Sequence, residues 1–356
     1  MSNVLVPITI ITGFLGAGKT TLLNNLIIAN PDHRIIVIEN EFGEVGIDGA
    51  LLVDLDAQIF ELSNGCICCN LNEDLQETML KLVDLKSRPD HLIIETTGLA
   101  DPAPVIAALL SDEIIQSNFR IDAVITLVDA LHIEQQWQEH PQCFNQISLG
   151  NFIIVNKVAS VPKNELQVLI SKIAALNPEA EVYATNFCEV KDVDLLHLST
   201  FEGKSNAQPP ANRKFTFLNN SPYAKKITLD PIAHPEVSSV HVVSHTPLDI
   251  IKFDQWLKAL MGNHFGNLLR VKGFIFAEDF DFPLIIQGVM NLYVSEQGSA
   301  PTAGVPGHSS LVFIGRKLER QLLQEGIDLC IASEVTDIDF KSLYDNIEKI
   351  QERFLN

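Results

Sequence analysis

At 356 residues the chain is long enough for about two domains with ordinary cores, and 46% hydrophobic against 20% charged residues is a globular rather than a disordered composition. Asp plus Glu outnumber Lys plus Arg by 45 to 25, and the formal net charge of -20 repels phosphate backbones and anionic lipid, which argues against a nucleic-acid partner or a membrane-surface role. No apolar run is long enough to span a bilayer and the N-terminus lacks the pattern of a secretory leader, so the expected location is the cytoplasm.

The first apolar run, Ile8 to Thr12, reads as a buried strand and empties into Gly13-Phe14-Leu15-Gly16-Ala17-Gly18-Lys19-Thr20, after which the leucines of Thr21 to Ile27 take helical spacing. Strand, Gly-rich turn and helix stand in the order a P-loop needs. The N–H groups of Gly13, Gly16, Ala17 and Gly18 can curl around phosphates at the positive end of the new helix, with Thr21 also in its first turn. Lys19 can reach the β- and γ-phosphates, and the Thr20 hydroxyl can ligate Mg²⁺.

Arg34 to Ile38 predicts a second buried strand, which runs into the acidic, Gly-punctuated segment Glu39-Asn40-Glu41-Phe42-Gly43-Glu44, placed where an α/β sheet puts its ligand loops. Gln58 to Leu62 predicts a short strand leading to Cys66-Ile67-Cys68-Cys69, and Asn72 to Lys86 a helix. Asp90 to Gly98 is an apolar strand ending in Glu95, positioned to hold Mg²⁺, with Gly98 placed to sense the γ-phosphate. Ala123 to Asp129 and Asn151 to Lys157 predict two more buried strands, Lys163 to Leu176 a helix, and Glu181 to Ala184 a last strand. This alternation argues for a mostly parallel sheet covered by helices on both faces.

Composition shifts near Phe201 to Pro210, which predicts a nucleotide-binding domain over residues 1–200, a linker over 201–213 and a smaller α+β domain over 214–356. The second domain is expected to contain strands over Val237 to Ser244, Leu268 to Ala277, Leu284 to Val294 and Ser309 to Ile314. Its helices are expected over Leu248 to Met261, Leu318 to Ala332 and Phe340 to Phe354.

Three thiols in four positions are too crowded for a structural disulfide framework. Thiolates select borderline or soft divalent ions, so Cys66, Cys68 and Cys69 are candidate ligands, joined by Glu39 and Glu44. Zn²⁺ is favoured, with Co²⁺ and Ni²⁺ also suited to such a set. His241 and His245 are four residues apart on a strand, about 13 Å, too far to share one ion. Cys143, Cys188 and Cys330 are isolated and read as structural; Arg270 and Lys272 alternate with apolar neighbours as on a solvated sheet face.

Taken together, the P-loop, the Glu39 to Glu44 segment, the Gly65 to Cys69 loop and Glu95-Thr96-Thr97-Gly98-Leu99-Ala100-Asp101-Pro102 resemble the CobW-type metallochaperone GTPases, relatives of HypB and UreG. Leu269 to Gly273 and Leu311 to Arg316 resemble that family's C-terminal domain, so the similarity spans nearly the whole chain. The resemblance implies a P-loop NTPase fold that binds GTP and GDP and delivers a divalent metal to a client metalloprotein. It also implies base recognition by Asn156 and Lys157, hydrolysis through Lys19, Thr20, Glu95 and Gly98, and a homodimer that forms with nucleotide; no catalytic arginine is evident in the first domain, so intrinsic turnover is expected to be slow. Two departures stand out: Asn156-Lys157-Val158-Ala159 lacks the aspartate that accepts from guanine N1–H and N2–H, and no His-rich tract follows the first domain. Losing a charged acceptor costs about 1.5–3 kcal/mol per hydrogen bond, which weakens guanine selectivity by about ten-fold or more. The competing expectations are a metal or redox sensor that binds nucleotide without significant turnover, and a P-loop small-molecule kinase, whose turnover would require an acceptor substrate.

Overall fold

The structure, a computed structural model, describes residues 5–40, 58–61, 71–85, 87–201, 237–262, 267–289, 292–298, 307–332 and 340–355. The chain divides into two compact units, Met1–Ile232 and Ala233–Asn356. Apart from Phe201, the segment read as a linker lies outside the described residues.

In the first unit the elements run β1 (Val6–Gly13), α1 (Lys19–Ala29), β2 (Ile35–Asn40), β3 (Gln58–Glu61), α2 (Leu71–Val83), β4 (His91–Thr96), α3 (Ala103–Ser111), α4 (Glu113–Asn118), β5 (Phe119–Asp129), α5 (Ile133–Glu139), α6 (Gln142–Leu149), β6 (Phe152–Asn156), α7 (Lys163–Leu176) and β7 (Glu181–Ala184). The seven strands form one sheet in the order β3-β2-β4-β1-β5-β6-β7, and every pairing is parallel. Every residue of β1 is buried, as continuous apolar strands require when both faces are covered.

One face, with Ile11, Val37, Ile93, Ile125 and Ile154, packs against Leu22, Leu23, Leu26 and Ile27 of α1 and against Leu195 and Leu196. Each such side chain contributes about 1.5–3 kcal/mol when fully buried, so the apolar stripe outweighs the caps of α1, which has no side-chain cap at Gly18 and is closed by Asn30 Nδ2 donating to the Leu26 carbonyl at 2.8 Å. On the opposite face α6 packs against β1 and β5. Its Gln146 carbonyl accepts from Thr126 Oγ1 at 2.7 Å. The helices between Asp101 and Asn151 are additions to the sequence expectation, which had none there. They are short, and α3 and α6 start at prolines, Pro102 with Pro104 and Pro141, so their periodicity is weak.

The second unit contains β8 (Val237–Ser244), α8 (Ile250–Gly262), β9 (Leu268–Ile275), β10 (Leu284–Val289), β11 (Leu292–Gln297), β12 (Ser309–Arg316), α9 (Arg320–Leu329) and α10 (Phe340–Leu355). Its strands are ordered β11-β10-β9-β12-β8 and are antiparallel throughout. The run expected as one strand over Leu284 to Val294 is instead two, because Val289 pairs with Leu292 in an antiparallel β10-β11 ladder. Alternate residues Val240, Val242, Leu311, Phe313, Val271 and Ile275 face the three helices. Trp256 of α8 sits edge-on to Phe313 at 6.0 Å and donates to Asn346 Oδ1 of α10 at 3.0 Å, while Gly326 lets α9 approach its ring. The solvated-face expectation for Arg270 and Lys272 is corrected: both are buried, beside Gln287, Val289, Val312 and Ile314 of neighbouring strands. Alternation reports which face a residue takes, not whether that face is wet.

Candidate nucleotide and metal site

Parallel strands place their ligand loops at their C-terminal ends, and β1 stands at the centre with β4 on one side and β5 on the other. The turn after β1 closes with Ala17 N–H donating to the Phe14 carbonyl at 3.2 Å, and α1 starts at Lys19. Gly18 is left-handed at φ 110°, and a Cβ there would meet Asn156 Nδ2 at 2.7 Å and Cys188 Sγ at 2.9 Å, so both backbone sign and space demand glycine. Lys19 is buried, and its Nζ donates to the Gly13 carbonyl at 3.1 Å, which holds the ammonium inside the curve of the loop. Gly16 is also left-handed and open to solvent, while Thr20 and Thr21 follow in the first turn of α1.

Asn156, the last residue of β6, ties this turn to the loop after β7. Its Nδ2 donates to the Ala17 carbonyl at 2.9 Å and its Oδ1 accepts from Cys188 N–H at 3.1 Å. Cys188 Sγ lies 3.3 Å from the Gly18 carbonyl, and Asn25 of α1 donates to the carbonyls of Phe187 and Cys188. Cys188 is therefore isolated in sequence but not in space; burial pushes its thiol up to about 12, which keeps it protonated and structural. Lys157, Phe187 and Cys188 all take positive φ, at 63°, 55° and 54°, strained for residues with side chains and held by this network. Lys157 Nζ reaches Asp129 Oδ2 at 2.7 Å. Burial pushes the Asp129 carboxyl up, but hydrogen bonds from Lys157, His132 and Leu131 N–H outweigh it and hold the group below the ordinary carboxylate range.

On the other flank, strand register makes a cross-sheet row. Ile11 of β1 pairs with Glu95 of β4, Glu95 with Glu39 of β2, and Glu39 with Glu61 of β3. Glu39 is buried and Glu95 half-buried, so two carboxylates stand on adjacent strands about 4.8 Å apart. The loop after β4 comes close to the P-loop: a Cβ on Gly98 would lie 2.6 Å from Leu15 N. That loop is anchored by buried Gln146, whose Nε2 donates to the carbonyls of Gly98 at 3.2 Å and Ala100 at 3.0 Å, and by Asn145, which donates to Asp101 Oδ2 at 2.5 Å. Sequence reasoning passed over Asn145 and Gln146; the available signal was a pair of amides between Phe144 and Ile147 in an apolar stretch.

Lys19, Thr20, Glu95 and Gly98 thus converge on the end of β1, and Asn156 and Lys157 stand two strands away. Glu44, Cys66, Cys68 and Cys69 lie outside the described residues. No helix among the described residues is long and apolar enough to cross a membrane.

Comparison with known proteins agrees with this geometry. The model of the CobW/HypB/UreG nucleotide-binding domain matches residues 7–184, and that of the cobalamin synthesis protein cobW C-terminal domain matches residues 237–331. The zinc chaperone YjiA of Escherichia coli (strain K12) is 32% identical over 320 residues, covering 89% of this chain and 96% of that protein. The zinc-regulated GTPase metalloprotein activator 1 of Schizosaccharomyces pombe is 28% identical over 343 residues, covering 88% and 83%. The solved structure of Zn(II)-bound YjiA GTPase from E. coli matches with a TM-score of 0.64 at 27% identity, over 90% of this chain and 97% of that one. The chain therefore belongs to the CobW/HypB/UreG family, with the family's nucleotide-binding domain followed by its CobW C-terminal domain.

Proposed function

We propose that this protein is a GTP-hydrolysing metallochaperone that binds a divalent transition metal, zinc foremost, and couples nucleotide state to its delivery to a client metalloprotein. The observation that carries this is the register Ile11–Glu95–Glu39, which sets a candidate metal-binding carboxylate one strand from the candidate phosphate-end carboxylate. Relatives named as a zinc chaperone and as a zinc-regulated metalloprotein activator support the cargo and the client.

In this scheme the N–H groups of Gly13, Gly16, Ala17 and Gly18 and the first turn of α1, with Thr20 and Thr21, receive the phosphates. Lys19 leaves the Gly13 carbonyl for the β- and γ-phosphate oxygens. Thr20 and Glu95 offer hard oxygen donors that fit Mg²⁺, which when bound neutralises charge on the transferred phosphoryl group. Gly98 brings its N–H to the γ-phosphate end, close to Leu15. Zinc is the transported species, held by Cys66, Cys68 and Cys69 with Glu39 and Glu44; Co²⁺ and Ni²⁺ suit the same donors. The three arginines described in the first unit, Arg34, Arg88 and Arg120, precede or begin β2, β4 and β5 at the opposite end of the sheet. An arginine at the γ-phosphate is worth about 10³–10⁵-fold, so turnover by the isolated chain is slow. Ligand thiols and zinc transfer suit the reducing cytoplasm, where a homodimer formed with nucleotide is the working state; sizing with a non-hydrolysable GTP analogue reads the latter.

The test is steady-state phosphate release from Mg-GTP by reduced, metal-stripped protein, with and without stoichiometric Zn²⁺, beside Cys68→Ser. Slow turnover that Zn²⁺ alters in the wild type but not in the variant is expected. Turnover indifferent to Zn²⁺ would remove the coupling, and none under any condition would leave a nucleotide-binding sensor.

A further inference from the structure

We infer that the base site of this protein reads only the hydrogen-bond acceptors of a purine and ignores the 2-amino group, so that guanine and hypoxanthine nucleotides bind alike while adenine nucleotides bind more weakly. The inference rests on the nucleotide reading above and specifies which nucleotides the site takes.

Phosphates at the end of β1 put the base two strands along the sheet, about 10 Å away, at the ends of β6 and β7. Two side chains with exposed apolar surface belong to the loops that follow those strand ends. They are the half-exposed stem of Lys157 and the ring of Phe187, 76% exposed on its strained backbone. Stacking on either is tolerant of base identity.

Selectivity must then come from hydrogen bonds, and the side-chain acceptors of Asn156, Asn186 and Asp129 already receive donors from the chain. Asn156 Oδ1 accepts from Cys188 N–H, and Asn186 Oδ1 accepts from Ala159 N–H at 2.8 Å. Both Asp129 carboxylate oxygens are engaged, Oδ1 by Leu131 N–H and Oδ2 by His132 and Lys157. The Glu189 carboxylate stands apart from these, in the groove lined by Leu22, Asn25 and Leu26 of α1. Ala159, exposed at the position where the resemblance expects aspartate, adds no acceptor.

What the rim still offers are donors, the Nδ2 of Asn186 and the N–H of Phe187, neither engaged by another described residue. Donors suit N7 and a 6-oxo oxygen, shared by guanine and hypoxanthine, and oppose the 6-amino group of adenine. With alanine at position 159, guanine N1–H and N2–H meet no carboxylate there, so removing the 2-amino group costs little.

The experiment measures affinities of Mg-GDP, Mg-IDP and Mg-ADP for the full-length protein by competition against a fluorescent GDP analogue, beside Ala159→Asp. The wild type is expected to bind GDP and IDP within about two-fold and ADP about ten-fold or more weaker. In Ala159→Asp the new carboxylate accepts from N1–H of both bases but from N2–H of guanine alone, so a gap of about ten-fold opens in favour of GDP. A wild type that prefers GDP over IDP by ten-fold, or binds ADP as well as GDP, would overturn the inference. So would an Ala159→Asp variant with an unchanged IDP-to-GDP ratio. Binding of none of the three would refute the nucleotide reading itself, whereas zinc-insensitive turnover with these affinities intact would refute only the chaperone reading.

Discussion

Acidification should loosen the first unit through a single buried imidazole. His91 opens β4 with no solvent exposure, its Nε2 2.8 Å from Thr9 Oγ1 and its Nδ1 without a hydrogen-bond partner. The His197 ring lies 6.0 Å away, with His33 6.1 Å beyond it. Burial above all, then repulsion from His197 and Arg120, with Asp194 opposing and His33 adding slightly, lowers the His91 pKa from 6.5 to about 3. The folded protein therefore keeps His91 neutral while the unfolded chain takes up a proton, so stability is complete above pH 6.5 and drains away as pH falls toward 3. At about 1.4 kcal/mol per unit, the loss between pH 7 and pH 5 is about 2 kcal/mol. The assay is urea unfolding at both pH values, followed by Trp137 fluorescence in a Trp256→Phe background so that the signal belongs to the first unit. His91→Gln, whose amide can keep the Thr9 contact, should lose about 2 kcal/mol less than its parent between those pH values. Equal losses would show that the buried imidazole does not govern acid sensitivity.

Three further outcomes follow from the site. Gly98→Ala places a Cβ 2.6 Å from Leu15 N, backbone that cannot swing aside, so phosphate release should fall about ten-fold or more while GDP affinity changes little. Gln146→Leu strips the donor from the buried Gly98 and Ala100 carbonyl contacts, and denaturant titration should show a loss of about 1–3 kcal/mol together with slower GTP turnover. Burial pushes the thiols of Cys143, Cys188 and Cys330 up to about 12, so iodoacetamide at pH 8 should leave them unmodified in native protein; peptide mapping should find label on Cys66, Cys68 and Cys69, reduced by Zn²⁺.

The elements that the sequence made legible are those whose pattern is local. Ile8 to Thr12 followed by a Gly-rich turn and helical leucines needs no tertiary information, and the ranges of α7, β7 and β8 coincide with their periodicity. Asn156, Lys157, Lys19 and Gly98 could be named because a motif places them. What remained hidden depends on contacts between distant residues: Cys188 beneath Gly18 is 170 positions away in sequence, and Gln146 reaches Gly98 across 48. Nothing local distinguishes such an amide or thiol from an inert one. Burial of Arg270 and Lys272 was illegible for the same reason, since period-two alternation looks the same whether the second face is wet or covered.

The placement of charge gives the proposed coupling a physical basis. The described arginines of the first unit, Arg34, Arg88 and Arg120, lie at the N-terminal strand ends, whereas Glu95 and Glu39 share a row near the opposite end, where Lys19 follows β1. Two ionised carboxylates on neighbouring strands repel, and under the proposed function the bound divalent ion offsets that repulsion. The Lys19 ammonium, held on the Gly13 carbonyl, contributes to the same local field. A triphosphate that draws Lys19 onto its oxygens and adds its own negative charge changes that field at Glu95 and, one strand further, at Glu39. Metal and nucleotide need not touch to be linked: any difference in metal affinity between nucleotide states must appear, by reciprocity, as an equal difference in nucleotide affinity between metal-free and metal-bound protein.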